Sequence, residues 1–441
     1  VQLQAMSSSQ LNALDTADVA AMTTSQIQAL RTTQIDGVST DRIAALTSTQ
    51  VQALTTAQVA ALTTSQVSNL TTAQVEALTS AQVRTLSSAQ LASMTSTQLS
   101  ALQTADVAQL TSSQIGGLTT DFIQSLSTAQ VAALSTEQVR ALGASQLNAM
   151  SSAQVQAIET TDVAALSSAQ VSGLSSTNVT ALSSAQVRAL DSVQLQAMSS
   201  SQLNALDTAD VAALTTTQIQ ALTTSQLSQL ATGQVAALTT SQVAALTTSQ
   251  LPAVTSSQIG AMDTAQIRAL TTNQATNLGT AQLNALSEAQ VQALDTADVA
   301  ALTTAQVANL STTNVASLTS AQVRALGSDQ LQAMSTAQIN ALDATDVSAM
   351  GTDQIAALTT TQVSKLTNSR VEALTTAQVA ALGSAQVGAL TTAQLAVVSD
   401  TQFTAMGTAQ LAGLTSGQFA ALSESQMQSL STTEVAALST A

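Results

Sequence analysis

From Val1 to Ala441 the hydrophobic and polar positions repeat every eight residues without an insertion or deletion, around the consensus Thr-Thr-Ala-Gln-Val-x-Ala-Leu. With the octad lettered a to h from the first Thr, position e is Val, Ile, Leu, Met or Phe in 54 of 55 octads, Ala275 being the exception. Position h is Leu, Met, Val or Ile in all 55. Position a is Ser, Thr, Asp or Gly in 51 of 55, the exceptions being Arg31, Gln103, Glu159 and Ala231, and position d is Gln in 43. Position f varies freely (Gln52, Ala60, Ser68, Glu76, Arg84), as a solvent-facing site does.

Each octad contains a full helix-start signal. The residue types at a are the preferred N-caps. Gln at d stands where a capping box needs it, reaching back to the cap amide while the cap hydroxyl accepts from the amide at d. The apolar residues at h and e, which flank the cap at N′ and N4, supply the hydrophobic staple. The pattern therefore predicts a short helix of about two turns, roughly 10 Å long, followed at once by the next cap. Helices of that length do not stand alone. Their e, g and h side chains must meet those of other octads, and Ala at g lets backbones approach closely.

An uninterrupted helix fits the spacing badly, because eight residues advance about 800° and the apolar pair would drift about 80° per repeat. A strand would send e and h to opposite faces. Thr and Val nevertheless favour strands locally, so a β-solenoid stays open as the alternative. The expected fold is an all-α solenoid, one short helix per octad and about three octads per coil, continuous over 1–441 as a fragment of a longer repeat protein. At a layer spacing of ~9 Å such an array is roughly 160 Å long. The coil size rests on Arg84, Arg140, Arg188 and Arg324, each followed 22 residues later by Asp106, Asp162, Asp210 or Asp346. A 24-residue coil would set each Asp nearly over its Arg, in a surface ion pair of ~0.5 kcal/mol. Module duplication accounts for the same spacing, and Arg268 with Asp298, 30 residues apart, departs from it.

Composition chiefly removes functions. The chain has no Cys, His, Trp or Tyr and a single lysine, Lys365, so thiolate and imidazole chemistry are absent. Its many Ser and Thr have no base to activate them. A net charge of −16 makes nucleic acid an unfavourable partner. Apolar runs are as short as Leu395-Ala396-Val397-Val398, far below the roughly 20 residues of a membrane helix. No cofactor is implied.

Asp15/Asp18, Asp207/Asp210, Asp295/Asp298 and Asp343/Asp346 are candidate calcium ligands. The same spacing is that of an N-cap with an acid at N3, favourable at a helix start. Rows such as Thr55-Thr56, Thr63-Thr64 and Thr71-Thr72 form a candidate lattice for ice or glycan. Asn69, Asn178 and Asn309 begin glycosylation acceptor triplets. Pro252 at f is expected to mark a soft spot with Ala275, Phe122 at d to lose half a capping box, and Phe403 and Phe419 to fill a wider core.

Runs such as Ala53-Leu54-Thr55-Thr56-Ala57-Gln58-Val59-Ala60-Ala61-Leu62 resemble the octad arrays of very large bacterial surface and secreted proteins, often labelled adhesin-like or haemagglutinin-like. The resemblance covers the whole chain. It implies export to the cell surface or beyond, a stalk, filament or adhesive role, and partners that are further copies in fibres or lateral assemblies, or other cell-surface material. It implies no active site.

Overall fold

A computed structural model of the protein describes residues 2–436. Among them every octad carries one short α-helix of four to six residues except the octad of Pro252, and no strand occurs. The chain forms two compact units, Val1–Leu222 and Thr223–Ala441, and the octad register of the sequence runs unbroken from one into the other.

Most helices begin as the sequence predicts. In helix Thr56–Ala60, the Thr55 Oγ1 accepts from the Gln58 amide at 3.2 Å and the Gln58 Oε1 accepts from the Thr55 amide at 2.8 Å. How the helices end departs from common practice, since many helices close on a left-handed glycine. Among the described residues no residue has positive φ. The chain instead turns through two extended residues, h and a: Leu30 has φ −68 and ψ 139, and Thr55 has φ −70 and ψ 156. Such corners need no glycine, which agrees with only 15 in 441 residues.

In both units helices pack on those three octads away. In the first unit, Ser112–Gly116 lies on Thr136–Ala141 and Ser168–Ser172 on Ser192–Ala197. In the second, Thr296–Ala301 lies on Ser320–Ala325 and Thr360–Ser364 on Ser384–Ala389. The interior is a narrow stack of e and h side chains, such as Val51, Leu54, Val59 and Leu62, all buried. Position g, expected inside, is mostly half-buried at the rim of the stack.

Position d supplies what the local pattern does not reveal. Its Gln is buried, and its Nε2 donates back to the end of the helix four octads earlier. Gln58 reaches Ile27 O and Leu30 O, both at 2.8 Å. Gln338, in the second unit, reaches Val307 O at 2.9 Å and Leu310 O at 2.8 Å. Helix packing at three octads and these bridges at four place the closure of one turn between the two. The first octads act as an internal control. Gln10, Asp18 and Gln26 precede any completed coil and are exposed, whereas Gln34 is the first with an octad to reach, bonding Leu3 O and Met6 O at 2.9 and 2.8 Å.

The irregular octads stay within this frame. Pro252 cannot donate an amide, and its octad becomes a 3-10 turn, Leu251–Ala253, held by Ala253 N to Gln250 O at 3.0 Å. Leu251 and Val254 remain buried and Gln282 Nε2 still donates to both carbonyls, so the disturbance is confined to one octad. Ala275 is fully buried in helix Thr272–Ala275. Phe122 fills an inward d position and keeps only the cap bond from its own amide to Thr119 Oγ1. Phe403 is buried at e, while Phe419 is half-buried.

A Gln186→Leu substitution keeps the volume but strands the Ile158 carbonyl and the Ser183 amide, and leaves the Val155 carbonyl only its bond from Ile158 N. It is expected to cost about 2 kcal/mol or more, whereas Gln52→Leu at the exposed f position changes stability by less than about 0.5 kcal/mol. Urea unfolding followed by circular dichroism separates the two.

Candidate functional site

The sequence singles out carboxylates, hydroxyls and amides at a, b and d. Three of the four aspartate pairs are helix caps in geometry. Asp18 N donates to Asp15 Oδ1 at 2.7 Å and Asp15 N to Asp18 Oδ2 at 3.2 Å. Asp343/Asp346 repeats this at 2.8 and 3.3 Å, and Asp210 N donates to Asp207 Oδ1 at 2.7 Å. Asp295 makes no side-chain cap bond; its carbonyl accepts from Asp298 N at 3.0 Å. Among the described residues no group of three or more His, Cys, Asp or Glu gathers as a metal site would require.

The aspartates at d do not pair with the arginines 22 residues earlier. Position d points inward and f outward, so the two charges lie on different faces. The Asp meets a hydroxyl at b three octads earlier: Ser80 Oγ to Asp106 Oδ1 at 2.6 Å and Thr136 Oγ1 to Asp162 at 2.6 Å. The same bond joins Ser184 to Asp210 at 2.7 Å, Thr272 to Asp298 at 2.9 Å and Ser320 to Asp346 at 2.8 Å. Burial, as the largest cause, pushes the Asp210 and Asp298 carboxyls above the ordinary aspartate value. The hydroxyl bonds from Ser184 and Thr272 oppose this, and the charges of Asp207 and Asp295 add to it.

A second device is invisible to the octad pattern. Where d is Arg or Asn, an Asn at f, 27 residues before the cap, takes over the cap amide. Ser39 N donates to Asn12 Oδ1 and Ser175 N to Asn148 Oδ1, each at 2.7 Å, where d is Arg42 and Asn178. Ser311 N donates to Asn284 at 2.7 Å and Thr367 N to Asn340 at 2.9 Å, where d is Asn314 and Arg370. Arginine has no acceptor, and Asn is one carbon too short to serve both the cap and the coil below. Its Nδ2 goes to the coil: Asn178 bonds Leu147 O at 2.6 Å. Asn178 is thereby buried, unlike the exposed Asn69 and Asn309, whose Nδ2 atoms bond Ser65 O and Ala305 O in their own octads. Only knowledge of the coil period makes a 27-residue partnership visible in sequence.

The remaining candidates are scattered along the array. The a-position hydroxyls are occupied in capping except those of Ser39 and Thr367, Lys365 contributes its carbonyl to Asn340 Nδ2 at 2.8 Å, and rows such as Thr56, Thr64 and Thr72 at b stand exposed. The interior offers only apolar gaps, about 20 Å³ among Leu283, Leu286, Val291 and Leu294 in the second unit. That holds a water at most.

Sixteen matches to the model of the ALTTAQ repeat tile residues 1–224, 243–360 and 363–432. No curated protein matches the chain.

The coupling between f and d predicts a double-mutant cycle. Asn340→Ala strands the Thr367 amide and the Lys365 carbonyl and is expected to cost about 1–2 kcal/mol. In an Arg370→Gln background the restored Gln serves the cap, so the cost falls by about 1 kcal/mol. Equilibrium unfolding of the four proteins measures the coupling.

Proposed function

The chain belongs to the ALTTAQ repeat family, and from that premise we propose that it is an extended structural spacer: a stalk or filament segment of a bacterial surface or secreted protein. The observation that carries this reading is the sameness of the bonding. The Gln bridge to the coil below recurs from Gln34 to Gln426, most often to the e and h carbonyls 31 and 28 residues earlier, and at Gln130 and Gln402 the h carbonyl is still served. Such an array propagates length through nearest-neighbour contacts. It sets no octad apart as a reaction centre, and the reading assigns no catalytic step.

Net charge of −16 and a surface of small polar side chains favour solubility of a long exposed array. The absence of cysteine leaves it indifferent to redox conditions. Among the described residues no helix is long and apolar enough to cross a membrane. Export, surface location and association into fibres or lateral assemblies belong to the same proposal. The rival reading, a repetitive face for ice, glycan or calcium, draws on the exposed b-position Thr rows. It is disfavoured because most of the a-position hydroxyls and Asp pairs are engaged in capping.

Negative-stain electron microscopy of the purified chain is expected to show thin rods or fibres of uniform width. Compact globules would sink the spacer reading, and thermal hysteresis or glycan-array binding abolished by bulky b-position substitutions would favour the rival.

A further inference from the structure

Asp106 in the first unit and Asp298 in the second occupy the inward d position where Gln otherwise joins the coils. Each is only 3% exposed. In each, Oδ1 accepts from a hydroxyl, and Oδ2 is buried without a hydrogen-bond partner. The carbonyls that a Gln there would serve are those of Val75 and Leu78 for Asp106, and of Ile267 and Leu270 for Asp298, by the separations of 31 and 28 residues seen at bridging Gln such as Gln58. A carboxylate offers these carbonyls no hydrogen. Each site thus combines a buried side-chain acceptor with a buried h carbonyl, Leu78 or Leu270, that has no backbone donor among the described residues, beside an e carbonyl that accepts from the h amide at 3.2 Å, an arrangement that costs free energy until a further donor is supplied.

Asparagine, of the same shape as aspartic acid, shows what a donor achieves. At the same position, Asn178 Nδ2 reaches Leu147 O at 2.6 Å and Asn314 Nδ2 reaches Leu283 O at 2.7 Å, both the e carbonyl four octads earlier. A side chain of this length therefore spans the gap when its outer atom carries a hydrogen.

We propose that Asp298 is an acid-operated clasp between coils, in which a proton taken from solvent onto Oδ2 is donated to the carbonyl of Ile267; Asp106 repeats the same geometry toward Val75. The array is then loose at Asp298 at neutral pH and closes there on acidification. The charged groups around Asp298 are Asp295 at its own cap, Arg324 on the packed helix Ser320–Ala325 and Arg268 on the helix four octads earlier; the packed helix Thr272–Ala275 has none. Around Asp106 they are Arg84, just after the packed helix Ser80–Val83, and Glu76 on the helix four octads earlier, with none on the packed helix Thr128–Ala132. The arginines are all exposed at f, where solvent screens them. For Asp298, the folded carboxyl lies above its unfolded value because of burial. The folded state then binds the extra proton, and its stabilisation is complete below the unfolded value and lost as pH rises through the folded one.

Hydrogen exchange of the full chain, corrected for intrinsic rates, tests this on the segment 264–302. Between neutral pH and roughly pH 4.5, wild-type exchange there is expected to slow roughly fivefold relative to neighbouring octads. Asp298→Asn is expected to be slow at both and to lack the step. Equal pH dependence in both proteins would overturn the clasp, as would faster exchange of the Asn variant at neutral pH. Protection of wild type by Ca²⁺ at neutral pH, absent in the Asn variant, would also overturn it by giving Oδ2 to a cation. Carboxyl ¹³C titration of wild type is independent of the variant's folding: Asp298 is expected to titrate above the ordinary aspartate value, and titration at that value would count against the proposal.

Discussion

Everything in this protein depends on one buried side-chain amide. Gln at d accepts from the cap amide of its own helix and donates to two carbonyls four octads earlier, one left open at h and one at e that also accepts from the h amide, so one residue closes a helix start and a helix end at once. Short helices leave a large share of their backbone groups unpaired. In an array of helices of four to six residues that debt would be fatal without a donor and acceptor delivered to every corner. The amide is the one common uncharged side chain with both functions at the required reach.

The exceptions follow from the same requirement. Replacing Gln by Arg retains the donor and loses the acceptor: Arg42 Nε donates to Leu14 O at 3.0 Å, and Asn12 then serves the Ser39 cap. Replacing it by Asp keeps acceptors and loses donors, and a hydroxyl from position b comes to the carboxylate. Replacing it by Phe gives up both, with packing in their place. Glycine at a is mild by comparison, since Gly143 N still donates to Gln146 Oε1 at 2.7 Å and only the hydroxyl half of the box is lost.

Local structure was legible in the octad because its determinants lie within three residues of each other. The cap at a, the amide at d and the apolar pair at e and h predict the helix, its start and its buried stripe, and Thr55, Gln58, Val59 and Leu62 do as expected. The coil size was approachable from the Arg and Asp spacing, though for a reason that did not hold: Asp106 turns inward to Ser80, away from the outward face that carries Arg84. The second role of Gln58, at Ile27 and Leu30, was not legible, because a separation of 28 to 31 residues gains meaning only once the coil is known. Nor could the octad show that Asn340 and Arg370 are one unit divided between two coils. Pro252 reads as a soft spot, and the structure gives it a 3-10 turn in which neighbouring coils hold Leu251 and Val254 in place.

The most direct test of this account is exchange of the Gln side-chain amide protons in ¹⁵N-labelled protein. If d-position amides clasp the coils, the Nε2 protons of Gln186, bonded to Val155 O and Ile158 O, exchange as slowly as core backbone amides. Those of the exposed Gln52 exchange as in a free peptide. Equal, fast exchange at both positions would contradict the account.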